Sequence, residues 1–259
     1  MSSEEILTSE PPAADRQLLY GPDPYQFVHA RIPGGKGPHP VVFFIHGGYW
    51  RARYDLTYAG HLCDALKKAG IATWNVEYRR VGNAGGGWPG TFEDIRSAYR
   101  MLQRSHNHGL PQLDLKRLCV AGHSAGAHLA LCLAAREQEI TRVLALAGVV
   151  DLRRAWELHL SNDAVLEFLG GSPADVPGRY SEASPAEQQI RARQVLIHGT
   201  ADDSVPYEIS RSYVERKKQT GEAVELITMP DTGHFEIVDP ASAVWNQVKE
   251  MFRILTNCS

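Results

Sequence analysis

Ser124 sits at the centre of Gly122-His123-Ser124-Ala125-Gly126, between an apolar run, Leu118 to Ala121, and an Ala- and Leu-rich stretch, Ala127 to Ala135. The run reads as a buried strand and the stretch as a strong helix former. A serine on a tight strand-to-helix turn is lifted clear of the backbone if nothing crowds the bend, and Gly122 and Gly126 bring no side chain to it. A helix opening at Ala125 would aim free N–H groups and the positive end of its dipole at the same spot. A serine hydroxyl is a poor nucleophile at neutral pH and needs a base. His234, beside Gly233, offers an imidazole for that proton. The base in turn needs a carboxylate to fix its tautomer and stabilise its charged form. Asp202 and Asp203 stand between the serine and the histidine in the chain. Together these residue types suit acyl transfer through a serine.

The pentapeptide alone is weak, because glycine and serine are common in ordinary turns, so the elements that position it carry the argument. Val41 to Ile45 is an unbroken β-branched and aromatic run, the pattern of a central strand buried on both faces, and it ends in His46-Gly47-Gly48-Tyr49-Trp50. Tyr25 to Ile32 alternates as an edge strand. Asp55 or Thr57 caps a helix to Lys68, and Thr91 with Asp94 forms a capping-box pattern ahead of another. Further strands are expected at 71–78, 142–150, 194–197 and 223–229, and further helices at 207–220 and from Pro240. Residues 151–190 break this rhythm and read as a small cap insertion. Alternating strands and helices predict an α/β fold, a mostly parallel central sheet with helices on both faces. Loops leaving the carboxyl ends of such strands gather where ligands bind. Residues 1–18 read as a flexible arm, and 19–259 as a single domain.

Four loops would then meet at one edge, carrying in chain order the His46–Trp50 segment, Ser124, Asp202 and His234. The order serine, acid, histidine is that of α/β-hydrolases. From about Tyr25 to the last helix the sequence resembles that superfamily, within its esterase and arylformamidase branch. His46-Gly47-Gly48-Tyr49-Trp50 resembles the H-G-G-x-W motif of kynurenine formamidases, and His198-Gly199-Thr200-Ala201-Asp202-x-x-Val205-Pro206 resembles the acid loop of many esterases. The resemblance implies Asp202 as the acid, with Asp203 the alternative. It implies an oxyanion hole of backbone N–H groups from Gly48, Tyr49 and Ala125. Tyr49 stands where the triple-glycine version of the motif has its third glycine; the amide survives, but a side chain then fills space near the acyl pocket. The implied substrates are small carboxylic esters or aryl formamides, N-formylkynurenine among them, with no cofactor and no metal.

Composition excludes other classes. A net charge of −3 with scattered Lys and Arg argues against a nucleic-acid partner. No apolar run approaches the ~20 residues that span a bilayer. The start of the chain lacks a basic, then apolar, secretory pattern. Cys63, Cys119, Cys132 and Cys258 show no CxxC spacing and read as reduced thiols, which points to a cytoplasmic protein. His123 and His128 are five apart, unsuited to a helical metal-ligand pair, and His46 and His198 read as structural. Trp50 and Trp88 are candidates for the pocket wall, with plain packing as the alternative for each. Two rivals remain: a peptidase-like hydrolase, and a non-catalytic binding protein on the same fold. The sequence is also compatible with a homodimer.

Overall fold

The apolar runs pair as strands because each must bury both faces. The computed structural model describes residues 3–257 apart from 111; Cys258 lies outside the described residues. The strands are β1 (Arg16–Leu19), β2 (Phe27–Arg31), β3 (His39–Ile45), β4 (Ala72–Val76), β5 (Leu113–His123), β6 (Arg142–Leu146), β7 (Arg193–Gly199) and β8 (Val224–Met229). They form one sheet in the order β1-β2-β4-β3-β5-β6-β7-β8. β1 and β2 run antiparallel at one end, and every pairing from β4 to β8 is parallel. This is the α/β-hydrolase arrangement.

Helices cover both faces: α1 (Ala59–Lys68), α2 (Gly90–Gln103), α3 (Ala125–Arg136), α7 (Tyr207–Gln219) and α8 (Trp245–Asn257). Alternate residues of β3 show why. Val41, Phe43 and Ile45 join one core cluster with α2, α3 and α7, while Val42 and Phe44 join the other with α1 and α8. A fully buried side chain of this size contributes roughly 1.5–3 kcal/mol, so a strand apolar on both faces holds two helix layers at once. Between β6 and β7 lie three short helices, α4 (Leu152–Glu157), α5 (Ala164–Leu169) and α6 (Pro177–Ala183).

Register delivers the loops to one place. Ile45 pairs with Gly122, His123 with Leu146, Leu146 with Ile197, and Gly199 with Met229. The chain therefore leaves β3, β5, β7 and β8 at nearly one level.

Four readings are corrected. Residues 1–18 are not a loose arm over their described part. Arg16–Leu19 pairs with β2 and takes the sheet edge that β2 was expected to hold. Upstream, Ser3–Leu7 forms a 3-10 turn and Ile6 is buried against the α1 face. Asp15 ties the segment down by pairing with Lys67 and accepting from the Ile32 amide. The capping box also fails. The helix opens at Gly90, before Thr91, and Thr91 is buried with its hydroxyl donating to the Arg79 carbonyl. Asp94 is claimed by the Arg79 guanidinium and Gln26. Asp55 and Thr57 likewise lie ahead of α1 rather than at its cap, which is Tyr58.

Candidate active site

The elbow forms as its glycines require. A Cβ on Gly126 would lie 2.0 Å from the Ile45 carbonyl oxygen, and one on Gly122 would lie 2.3 Å from Gly126 backbone atoms. Only bare backbone lets β3, the turn and α3 close this tightly. Ser124 takes φ 56° and ψ −119°, a conformation that L residues rarely adopt. Its neighbours hold it there: the Ser124 amide donates to the Leu146 carbonyl, and the Ser124 carbonyl accepts from Ala127, His128 and Val149. The strain turns the hydroxyl toward a cavity of about 340 Å³ that Gly48, Tyr49, His123 and His234 also line.

His234 Nδ1 lies 2.7 Å from Asp202 Oδ2, which leaves Nε2 as the free ring nitrogen. Asp202 Oδ1 accepts from the amides of Ser204 and Val205, and its Oδ2 also meets His198 Nε2 at 3.1 Å. Burial would raise this carboxyl, but hydrogen bonds from His198 and His234 outweigh it and hold the group well below the usual carboxylate range. Asp203 is exposed, lines the cavity and makes no hydrogen bond or ion pair with His234 among the described residues. Ser124 Oγ makes no hydrogen bond to the imidazole among the described residues. Such contacts are often long in substrate-free sites and tighten on binding.

The amides of Gly48, Tyr49 and Ala125 have no acceptor among the described residues. Gly48 carries φ +105°, and a Cβ there would strike Tyr54 at 2.5 Å, so this position demands glycine. The loop rests on buried polar groups. His46 Nδ1 is 2.8 Å from the Gly47 carbonyl, and its ring stacks on Tyr78. Glu77 lies under both, accepting from the Leu56 and Tyr78 amides. Tyr49 spends its hydroxyl on the Ser204 carbonyl. Arg51, next in sequence after the motif, reaches Ser161, Asn162 and Glu167 beyond α4.

The two tryptophans do not line this cavity. Trp50 is fully buried, stacks on Phe168 at 4.4 Å and gives its indole N–H to His128 Nδ1. Its φ of 57° swings the ring under the 151–190 segment. Trp88 stacks on Phe92 and lies beneath Arg136. Packing, the alternative weighed for each, accounts for both. The walls that sequence reasoning missed are Leu7, Tyr54, Tyr58, His123, Ser161, Ser204 and Phe235. Leu7 comes from the segment read as a loose arm; the Ile6-Leu7 apolar pair in a polar stretch was its only signal.

His128 shows what burial does behind the site. Its Nδ1 accepts from Trp50, so Nε2 carries the proton and donates to the Ala183 carbonyl. Burial pushes its pKa from 6.5 down to about 4. The unfolded chain therefore binds a proton that the folded chain refuses. The stabilisation is complete above pH ~6.5 and is lost progressively as pH falls from there to about 4, a change of about 3 kcal/mol. Urea unfolding at pH 7 and pH 4.5 is expected to show this loss, with a shallower pH slope in His128→Gln. An unchanged slope would remove His128 as the cause. Cys63, Cys119 and Cys132 are buried free thiols, each pushed up to about 12 by burial.

Among the described residues no group of His, Cys, Asp and Glu is placed to hold a metal, and no helix is long and apolar enough to cross a membrane.

Known proteins share this architecture. A carbohydrate esterase from gut microbiota superposes with a TM-score of 0.81 at 19% identity, over 96% of this chain and 100% of that one. Esterase LipC of Mycobacterium tuberculosis is 27% identical over 250 residues, covering 87% of this chain and 61% of its own length. Kynurenine formamidase of Drosophila melanogaster is 22% identical over 223 residues, covering 83% and 72%. The chain spans 61%, 58% and 52% of three curated relatives it matches. The BD-FAE family matches residues 31–216, a span that takes in the 46–50 loop, the elbow and the Asp202 loop. The chain belongs to the BD-FAE family of the α/β-hydrolase superfamily.

Proposed function

We propose that this protein is a serine hydrolase that cleaves small carboxylic esters or aryl formamides through an acyl-enzyme. The carrying observation is the hydrogen bond from His234 Nδ1 to the buried Asp202 carboxylate, on the same cavity as the strained Ser124. In this reading Ser124 Oγ attacks the substrate carbonyl carbon while His234 Nε2 takes its proton. The oxyanion accepts hydrogen bonds from the amides of Gly48, Tyr49 and Ala125. The bond to the leaving group breaks, and His234 returns the proton to the departing oxygen or nitrogen. Water then attacks the acyl group by the same route in reverse. Residues and water suffice for every step.

A small substrate fits the walls. The cavity lies at the low end of ligand pockets, and Tyr49, Tyr54, Tyr58 and Phe235 crowd it with rings. Similarity to kynurenine formamidase of Drosophila melanogaster supports the formamide, and similarity to esterase LipC supports the ester. Three buried reduced thiols favour a cytoplasmic setting. The test is kcat/KM on p-nitrophenyl esters from acetate to octanoate, beside N-formylkynurenine. A steep fall with acyl length is expected; equal rates on acetate and octanoate would refute the narrow acyl side. A strong preference for N-formylkynurenine over acetate would select the formamide.

A further inference from the structure

We propose that Tyr58 and His123 form a positioning bridge, locking the amide donors of the 46–50 loop to the backbone of His234 so that both halves of the site hold one geometry. The proposal rests on the hydrolase reading above. Three hydrogen bonds in series make the bridge. The Gly47 amide donates to Tyr58 Oη at 2.6 Å. Tyr58 Oη lies 2.8 Å from His123 Nδ1, and His123 Nε2 lies 3.1 Å from the His234 carbonyl oxygen.

The protons can be assigned. An amide can only donate, so the Tyr58 oxygen accepts from Gly47 and turns its own proton toward His123. Nδ1 is then bare, Nε2 carries the hydrogen, and that hydrogen goes to the His234 carbonyl. The other tautomer would aim two donors at one hydroxyl and set a bare nitrogen against a carbonyl oxygen. Tyr58 is 4% exposed and His123 1%, so water has little access to substitute for a missing partner. Burial, and then the neighbouring His234, push the His123 imidazole well below the ordinary histidine range, as a bare Nδ1 requires. The rings are braced as well: His123 packs 4.5 Å from His234, and Tyr58 meets Phe235 edge-on at 6.1 Å.

The bridge acts on the donors through one peptide. Gly47 is pinned at its N–H by Tyr58 and at its carbonyl by His46 Nδ1. That carbonyl belongs to the same peptide plane as the Gly48 N–H, so the two pins set where this donor points. Neither Tyr58 nor His123 reacts with substrate in this account.

The experiment compares full-length wild type, Tyr58→Phe, His123→Phe, His123→Gln and the double Tyr58→Phe/His123→Phe variant. Each is assayed on p-nitrophenyl acetate well below its melting temperature. A misplaced donor costs up to about 10²-fold in rate. The expected loss in Tyr58→Phe is therefore roughly 10- to 100-fold in kcat, with KM within about twofold. Inhibition by an aryl boronic acid, which mimics the tetrahedral state, weakens by a similar factor. The double variant is no slower than the slower single, and His123→Gln, which keeps an acceptor and a donor, recovers part of the loss. A folded Tyr58→Phe with wild-type kcat, a loss confined to KM, or single effects that multiply would overturn the bridge. Nitrogen-15 NMR of the imidazoles reads the tautomer separately, and a protonated His123 Nδ1 would overturn it too, whatever the enzyme does. If wild type neither hydrolyses the ester nor reacts with a fluorophosphonate, the hydrolase reading fails instead, and NMR alone decides the bridge.

Discussion

Ser124→Ala is expected to lower kcat by at least about 10³-fold and to abolish labelling by a fluorophosphonate probe. The remaining rate comes from the amide donors and from substrate binding, which in other serine hydrolases leave 10³ to 10⁴ over water. The fold is expected to survive. The Ser124 hydroxyl makes no hydrogen bond among the described residues, and the backbone bonds to Leu146, Ala127, His128 and Val149 do not involve it. Alanine tolerates φ 56° about as poorly as serine does, so the elbow keeps its strain in both. Mass spectrometry of the labelled protein identifies the modified residue. A label retained at full stoichiometry in the alanine variant would remove Ser124 as nucleophile. An unlabelled wild type with no hydrolysis would favour the non-catalytic binding protein.

Asp202→Asn is expected to cost about 10⁴-fold in kcat, whereas Asp203→Asn stays within about threefold of wild type. The difference follows from what each carboxylate touches. Asp202 receives donors only: the rings of His234 and His198, and the amides of Ser204 and Val205. An asparagine amide would set an N–H against one of these donors, favouring the wrong tautomer of His234 and leaving a buried group unpaired. The unpaired group alone is worth about 1–3 kcal/mol of stability. Asp203 is exposed and, among the described residues, accepts only from the Ser204 hydroxyl. Because Asp202 is held below the usual carboxylate range, it stays charged wherever histidines titrate. Its contribution to stability is present above pH ~4 and lost as pH falls through the depressed value. Steady-state kinetics on both variants, with melting temperatures, checks the pair. A larger loss in Asp203→Asn would exchange their roles.

Much of this was legible because local chemistry and global fold agree in places. The elbow needs two glycines, a strand before it and a helix after it, and all are contiguous in the sequence. The β3 run and the Ala-rich α3 announce themselves by composition. The separation of Asp202 from Asp203 came from motif resemblance, and the geometry at His234 follows the same division. What stayed hidden depends on partners distant in the chain. Arg16–Leu19 has no clean alternation, and it becomes a strand because β2 offers an unpaired edge. Thr91 and Asp94 match a cap, but Arg79 outcompetes the helix end for both side chains. Trp50 lies inside the motif that carries the unpartnered amides of Gly48 and Tyr49, yet spacing cannot say that a left-handed φ turns its ring away from the cavity. Leu7, Tyr58 and Phe235 converge only once the sheet exists.

Tyr49 joins the cavity wall to the loop that carries Asp202. Its side chain narrows the cavity, and its hydroxyl fastens the Ser204 carbonyl, while the Ser204 amide donates to Asp202. In the proposed hydrolase, selectivity and acid placement would share this one tether. Trimming Tyr49 to admit a bulkier acyl group would also slacken the loop that aims the carboxylate. On the proposed reading, a variant that widens the cavity at Tyr49 would need a second change to re-anchor Ser204, so broader acyl scope would come from paired rather than solitary mutations.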